Sequence, residues 1–217
     1  MTLPQPNGST PNRLLLVEGN DDLRFFQEFA RYIGTSELEI SSYHGKFNLG
    51  NDLSNRVRSA GFQAVSSLGI VRDADESSRS AFDSVVGSLQ RANLPVPNAP
   101  IIPTEHNGLR ISVLIVPPGD DEGELEDVCL RSVEGYRDME CVESYINCLQ
   151  NTGPPIASNR LAKARLHSYL AIGPVHENDG NALRMRPALR LGEAAEAGLW
   201  DWSSPAFQEL AEFLRGL

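Results

Sequence analysis

Short apolar runs alternate with amphipathic stretches through the first half of the chain. Residues 13–17, Arg13-Leu14-Leu15-Leu16-Val17, predict a buried strand. Leu23, Phe26, Phe29 or Ala30, and Ile33 recur at helical spacing, so a helix is expected to run to about Ile33, with Asn20 or Asp21 as its cap. Gly34-Thr35-Ser36 stops it. Residues 38–43 alternate weakly and predict a second strand, Gly45 allows a tight turn, and 49–60 predicts a helix ending at Gly61. A third strand is expected over 65–71. A helix over 77–93 follows, with Phe82, Val85, Val86 and Leu89 as its apolar stripe. The Pro-rich stretch 94–103 has room for a short edge strand at Ile101-Ile102 at most. Residues 110–116 form a good strand, ended by Pro117-Pro118-Gly119. This alternation predicts an α/β fold with a mostly parallel central sheet and helices on both faces.

The second half changes character. Helices are expected over 125–133, 142–149 and 159–172, with Gly153-Pro154-Pro155 as a break. Residues 173–202 are loop-like, punctuated by Gly180, Pro187 and Gly192. A last helix over 205–214 is capped by Ser204 or Ser203. Its Phe207, Leu210 and Phe213 are expected to serve the core, with a homodimer contact as the alternative. The chain therefore divides into a flexible leader (1–12), an α/β domain (13–150) and a helical C-terminal extension packed on the same core (151–217).

Composition narrows the function classes. No apolar run approaches the roughly 20 residues that span a bilayer, and residues 1–12 lack the apolar stretch of a signal peptide, so a cytoplasmic, non-membrane protein is expected. Cys129, Cys141 and Cys148 match no zinc spacing and are expected to be reduced, mostly buried thiols. The net charge of -10 counts against a tight free-standing nucleic-acid binder, which needs clustered Lys and Arg, but leaves a nuclease open. No Gly-x-x-x-x-Gly-Lys-Ser/Thr loop and no Gly-x-Ser-x-Gly elbow is present, which excludes a P-loop NTPase and argues against an ordinary α/β-hydrolase.

Candidate chemistry lies in acidic groups just after the strands. Glu18-Gly19 closes the first strand, and Asp22, four residues on, can face Glu18 across one helical turn. The bland alternative is an acidic first turn favoured by the helix dipole. Asp73-Ala74-Asp75 closes the third strand, and on an extended chain both carboxylates face one side. Such oxygen sets suit Mg²⁺. The segment Asp120 to Asp127 has six acidic residues in eight. Asp120 to Glu122 suit a solvated loop, whereas Glu124, Glu126 and Asp127 lie at a packed helix start and can supply a second metal. Lys163 and His167 share a helix face, either as surface residues or with Lys163 approaching a phosphate. His44, His106, His167 and His176 form no ligand spacing.

These motifs resemble the Toprim domain, the catalytic fold shared by topoisomerases, bacterial primases and OLD nucleases. The matching residues are Glu18 with Gly19, then Asp73 with Asp75. Asp22, Leu125-Glu126 and Lys163 resemble the further residues of the OLD-like branch. The whole chain, including Gly192-Glu193-Ala194-Ala195 and Trp200-Asp201-Trp202, is also similar to small stand-alone Toprim-like proteins grouped as a DUF3226-type family, whose function is poorly defined. The resemblance departs at Ser77, where a third aspartate would stand. It implies a Toprim-like α/β fold and Mg²⁺- or Mn²⁺-dependent phosphodiester hydrolysis of DNA or RNA. Glu18, Asp22, Asp73 and Asp75 would hold one metal, and Glu126 or Asp127 would help hold a second. Glu18 is alternatively a general base. Lys163 would contact the scissile phosphate or leaving group, and Arg72 and Lys46 the backbone phosphates. The rival expectation is a metal- or nucleotide-binding regulatory module, or the partner of an ATPase in a defence or toxin-type system; a third is a structural relic of the fold, in which Glu18 and Asp73 lie far apart or are neutralised by arginines.

Overall fold

The structure, a computed structural model, describes residues 12–35, 37–172 and 189–217. Five strands form one sheet: β1 (Asn12–Val17), β2 (Glu39–Ser42), β3 (Val65–Asp73), β4 (Thr104–His106) and β5 (Leu109–Val116). Their order is β2-β1-β3-β5-β4. β2, β1, β3 and β5 run parallel, and β4 pairs antiparallel with β5 at the edge. The helices are α1 (Asn20–Tyr32), α2 (Leu49–Val57), α3 (Ser78–Arg91), α4 (Leu125–Ser132), α5 (Arg137–Thr152), α6 (Ser158–Ala171), α7 (Leu191–Glu196) and α8 (Gln208–Arg215). Among the described residues no helix is long and apolar enough to cross a membrane.

Strand side chains alternate between two cores, which is why the central strands are almost wholly apolar. Leu15 and Val17 enter one core, with Phe25, Phe26 and Phe29 of α1, Val128 of α4, Leu170 of α6, Ala194 of α7, and Leu210 and Leu214 of α8. Leu14 and Leu16 enter the other, with Leu68, Ile70, Ile111 and Val113 from the sheet, Leu53 of α2, and Val85 and Leu89 of α3. Helices thus cover both faces, as the alternation predicts.

The C-terminal segment is tied into the first core by aromatic packing. Trp202 lies 5.2 Å from Phe25, 5.3 Å from Phe29 and 5.3 Å from Phe207 between ring centroids. Phe207, Leu210 and Phe213 are buried, in keeping with a core role for the last helix. Ser204 caps its first turn by accepting from the Ala206 N–H.

Several elements depart from the sequence reading. The edge strand is at Thr104–His106, not Ile101-Ile102. It is set by the two-residue turn Asn107-Gly108, both at positive φ (52° and 78°), the conformation a tight hairpin demands. α2 ends at Val57 and a 3-10 turn follows over Ala60–Ala64, whose largely exposed residues offer no apolar face to prolong the helix. α5 begins five residues before the expected 142, because Met139 extends the buried stripe of Val142 and Ile146. Within the expected loop over 173–202, Leu191–Glu196 is a helix. The expected leader and the rest of that loop lie outside the described residues, apart from Asn12 and residues 189–202. Cys129 is buried, but Cys141 and Cys148 are exposed, since they sit on α5 away from its apolar stripe.

α7 packs on α1 because Gly192 has no side chain. A Cβ there would lie 2.6 Å from the Asp21 carbonyl oxygen and 2.8 Å from Arg24 Cβ. Gly192→Ala is therefore expected to lower stability by about 1–3 kcal/mol, the usual effect of overpacking. Gly61→Ala, whose new Cβ meets nothing within 4 Å, is expected to stay within about 0.5 kcal/mol. Urea denaturation of both variants checks this, and equal midpoints would contradict the close α1–α7 packing.

Candidate functional site

β1 sends the chain to β2 on one side, while β3 lies on its other side. The carboxyl ends of β1 and β3 therefore flank the point where strand order reverses, the place where open parallel sheets leave a crevice for ligands. Glu18 directly follows β1, and Asp73 is the last residue of β3. The N-termini of α1 and α4 bring in the remaining acidic groups.

α1 and α4 start in the same way. The Gly19 N–H donates to Asp22 Oδ2 at 2.8 Å, and the Glu124 N–H donates to Asp127 Oδ2 at 2.9 Å. Each aspartate satisfies a backbone donor that the helix start leaves free. Gly19, not Asn20 or Asp21, is the N-cap of α1. Asp73 Oδ1 accepts from the Leu125 N–H at 3.1 Å, so this carboxylate sits on the positive end of α4.

The paired orientation expected of Asp73 and Asp75 does not occur. β3 ends at Asp73, and Asp75 turns to φ 53°. Its backbone makes two hydrogen bonds with Gly123, both 2.9 Å. Side-chain alternation holds only while the chain is extended, and here it stops. Asp75 Oδ2 instead lies 3.3 Å from both Arg72 Nη2 and Lys46 Nζ. Arg72 is buried, 3.5 Å from Glu18 Oε2, and donates to the Lys46 carbonyl at 3.2 Å. Arg72 and Lys46, expected on phosphates, are engaged here with Glu18 and Asp75.

The site thus has two halves. In one, Arg72 and Lys46 compensate Glu18 and Asp75. In the other, Asp22, Asp73, Glu124 and Glu126 gather near Lys163, whose Nζ is 2.7 Å from Glu124 Oε2 and 3.9 Å from Glu126 Oε1. Among the described residues neither Asp22 nor Asp73 has an ion-pair partner. The sequence reading groups Glu124 with Glu126 and Asp127 as a candidate for a second metal, and does not foresee its pairing with Lys163. The local signal of Glu124 is the spacing to Asp127, which marks a helix start.

The electrostatics reflect this imbalance. Asp73 keeps some solvent access but is densely surrounded by protein. Desolvation, then the charges of Asp22, Glu126, Glu18 and Glu124, push its pKa well above the usual carboxylate range. Asp22 is raised by burial, against the opposing Gly19 hydrogen bond. Glu18 is raised by burial, with Arg72 pulling the other way. Burial lifts Glu126 to about 7 despite Lys163. Burial works against the charge of Lys163, but its bond to Glu124 and the Glu126 charge outweigh this, and its pKa is raised.

Carboxylate oxygens with unbalanced charge are the donor chemistry of a hard divalent ion. By this measure the second half fits Mg²⁺ or Mn²⁺. Among the described residues, however, no three His, Cys, Asp or Glu side chains stand arranged to hold one, so the groups gather without converging. Asp22 and Asp127 are turned to backbone donors, and Glu18 and Asp75 to cations.

A family model described as "Protein of unknown function (DUF3226)" matches residues 12–217. The chain belongs to the DUF3226 family. No curated protein and no solved structure matches it. The match begins with β1 and takes in the C-terminal helices, so the DUF3226 unit includes the segment that Trp202 and Phe207 bind to α1.

Glu126 gives a test of this charge balance. Its ordinary pKa is 4.5 and its folded value about 7. Below 4.5 it is protonated in both folded and unfolded chains. As pH rises through about 7, the folded protein must bury the charge, so stability present at low pH is lost. Glu126→Gln is expected to match wild type near pH 4.5 and to exceed it at pH 8 by on the order of 1 kcal/mol. Denaturant midpoints across this range check it, and parallel pH profiles would contradict it.

Proposed function

We propose that this DUF3226 protein is a Toprim-type phosphodiesterase that hydrolyses DNA or RNA with Mg²⁺ or Mn²⁺. The observation that carries the reading is the cluster of Asp22, Asp73, Glu124 and Glu126 at the strand-order reversal, with Lys163 as the cation paired to its glutamates. A gathering of carboxylates with unbalanced charge attracts divalent cations. The resemblance of Glu18-Gly19 and Asp73-Ala74-Asp75 to the Toprim pattern supports the same reading.

Asp73, Asp22 and Glu126 are the residues that would hold the ion once their side chains converge, with Glu18 close enough to add its charge to Asp73. Glu124 and Asp127 flank them at the start of α4. A bound divalent ion would lower the pKa of a water and neutralise charge on a phosphate. Asp73 is held by the Leu125 N–H, which fixes its orientation before any ion arrives. Lys163 pairs with Glu124 and Glu126. Neutralising these glutamates with a cation would leave its ammonium to meet a phosphate oxygen. Arg72 is fixed by Glu18, Asp75 and the Lys46 carbonyl, and so suits positioning better than direct phosphate contact.

The ion pairs of Arg72 and Lys46 favour a second reading. They already neutralise Glu18 and Asp75, two of the four carboxylates expected around one metal. A module that binds a metal–nucleotide complex, or serves an ATPase partner without its own catalysis, needs fewer free ligands.

The deciding experiment is cleavage of single- and double-stranded DNA and RNA with Mg²⁺ or Mn²⁺, by wild type beside Asp73→Ala. Loss of an outer-shell partner of a metal costs about 10–100-fold in activity, so loss of Asp73 is expected to cost at least about 100-fold. Equal activity would sink the nuclease reading. Mn²⁺ heat by calorimetry without cleavage would favour the binding module. Without metal, Asp73→Asn is expected to melt higher than wild type, because it removes a crowded charge while keeping an acceptor for the Leu125 N–H.

A further inference from the structure

Among the described residues Phe47 is the most exposed of the large apolar side chains, at 88% of its surface. A lone exposed aromatic needs no explanation. Its setting is what separates it. The loop between β2 and α2 that carries it is pinned to the candidate site. The Gly45 N–H donates to the Glu18 carbonyl at 2.9 Å, and the His44 N–H to Ser42 Oγ at 3.0 Å, which itself donates to the Glu18 carbonyl at 3.0 Å. Arg72 donates to the Lys46 carbonyl at 3.2 Å, and Lys46 Nζ reaches Asp75 at 3.3 Å. The Asn48 N–H closes the turn on the Gly45 carbonyl at 2.9 Å. A backbone held this firmly presents its aromatic ring with little ordering left to lose on binding. Lys46 Nζ lies 5.8 Å from the ring centroid, so ring and cation stand together beside Asp75.

We propose that Phe47 is a stacking platform for an unpaired base of single-stranded nucleic acid, whose backbone phosphate lies toward Lys46; this rests on the phosphodiesterase reading. The net charge of -10 denies the protein a phosphate grip of the usual kind. Stacking accepts any base and adds affinity to the one phosphate contact that Lys46 can offer, against the repulsion of that charge. It requires a base free of a duplex stack, which makes single strands the substrate class. A ring beside Lys46, tied through Arg72 to Glu18, would set which linkage of the strand enters the crevice.

The test is fluorescence anisotropy of a labelled thymidine oligonucleotide of about 12 nucleotides, within the usual site size of single-strand binders, in Ca²⁺. An abasic strand of equal length and a duplex serve as comparisons. Wild type is expected to bind the oligonucleotide roughly tenfold more tightly than the abasic strand. Phe47→Ala is expected to lose that preference while keeping its abasic affinity and its melting temperature, and Phe47→Trp to retain the preference. Equal wild-type affinity for both strands, no binding, or a preference that survives in Phe47→Ala would overturn the proposal. A change of oligomeric state in Phe47→Ala with unchanged base preference would also overturn it, assigning the ring to a contact between copies. Cleavage and Mn²⁺ calorimetry on wild type separate the two failures. An active, Mn²⁺-binding protein blind to bases defeats the stacking alone. An inactive protein without Mn²⁺ heat that still binds through Phe47 defeats the nuclease reading alone.

Discussion

A parallel sheet covered by helices on both faces leaves its polar groups one outlet, the ends of its strands. Leu14, Leu15, Leu16 and Val17 are all buried, and so are Leu68, Ile70 and Val71. Ionised side chains cannot be placed along such strands without a large desolvation cost. They collect where the strands stop and backbone donors of the next helices become free. Glu18, Asp73 and the acidic start of α4 are therefore neighbours for the same reason that the sheet has two cores. The layered architecture gathers these acidic groups at the carboxyl ends of the strands.

Within the crevice the decisive quantity is the balance of charge. Arg72 is buried and faces two carboxylates at 3.5 and 3.3 Å, and with Lys46 on Asp75 that half is internally neutral. The other half relies on Lys163, which is partly exposed and reaches Glu124 far more closely than Glu126. The raised pKa values of Asp73, Asp22 and Glu126 express the same shortage of positive charge. A group of carboxylates this crowded is comfortable only with protons or with a cation. This gives the proposed phosphodiesterase its physical basis.

The strands were legible because burial on both faces leaves continuous apolar runs, and the positions of Glu18 and Asp73 followed from the strand ends. β3 nevertheless runs on through Arg72 and Asp73, whose polarity hides the pairing with Ile115 and Val116. The helix α7 escaped notice because six residues rich in Gly, Ala and Glu have no stripe of their own; their order comes from α1. The turning of Asp75 was hidden for a different reason. Its partner, Gly123, is remote in sequence, and so are the pairs joining Glu18 to Arg72 and Glu124 to Lys163. Local patterns identify which residues are acidic and near a strand end. Which cation each one meets is decided by tertiary packing.

The small bridge between Asp75 and Gly123 has a mechanical consequence. Two backbone hydrogen bonds join these residues, and the Ser78 N–H adds a third from the start of α3 to the Asp121 carbonyl at 2.6 Å. Gly123 sits at φ 125°, with the Pro117 ring closing the space a side chain would need. The loops after β3 and before α4 are thereby stitched into one rigid strap. Asp73 and Glu124 cannot drift apart without tearing it, so this wall of the crevice acts as a fixed jaw. The turn carrying Lys46 and Phe47 is pinned as well, by the Gly45 N–H on the Glu18 carbonyl and by Arg72 on the Lys46 carbonyl, so both sides of the site keep their spacing.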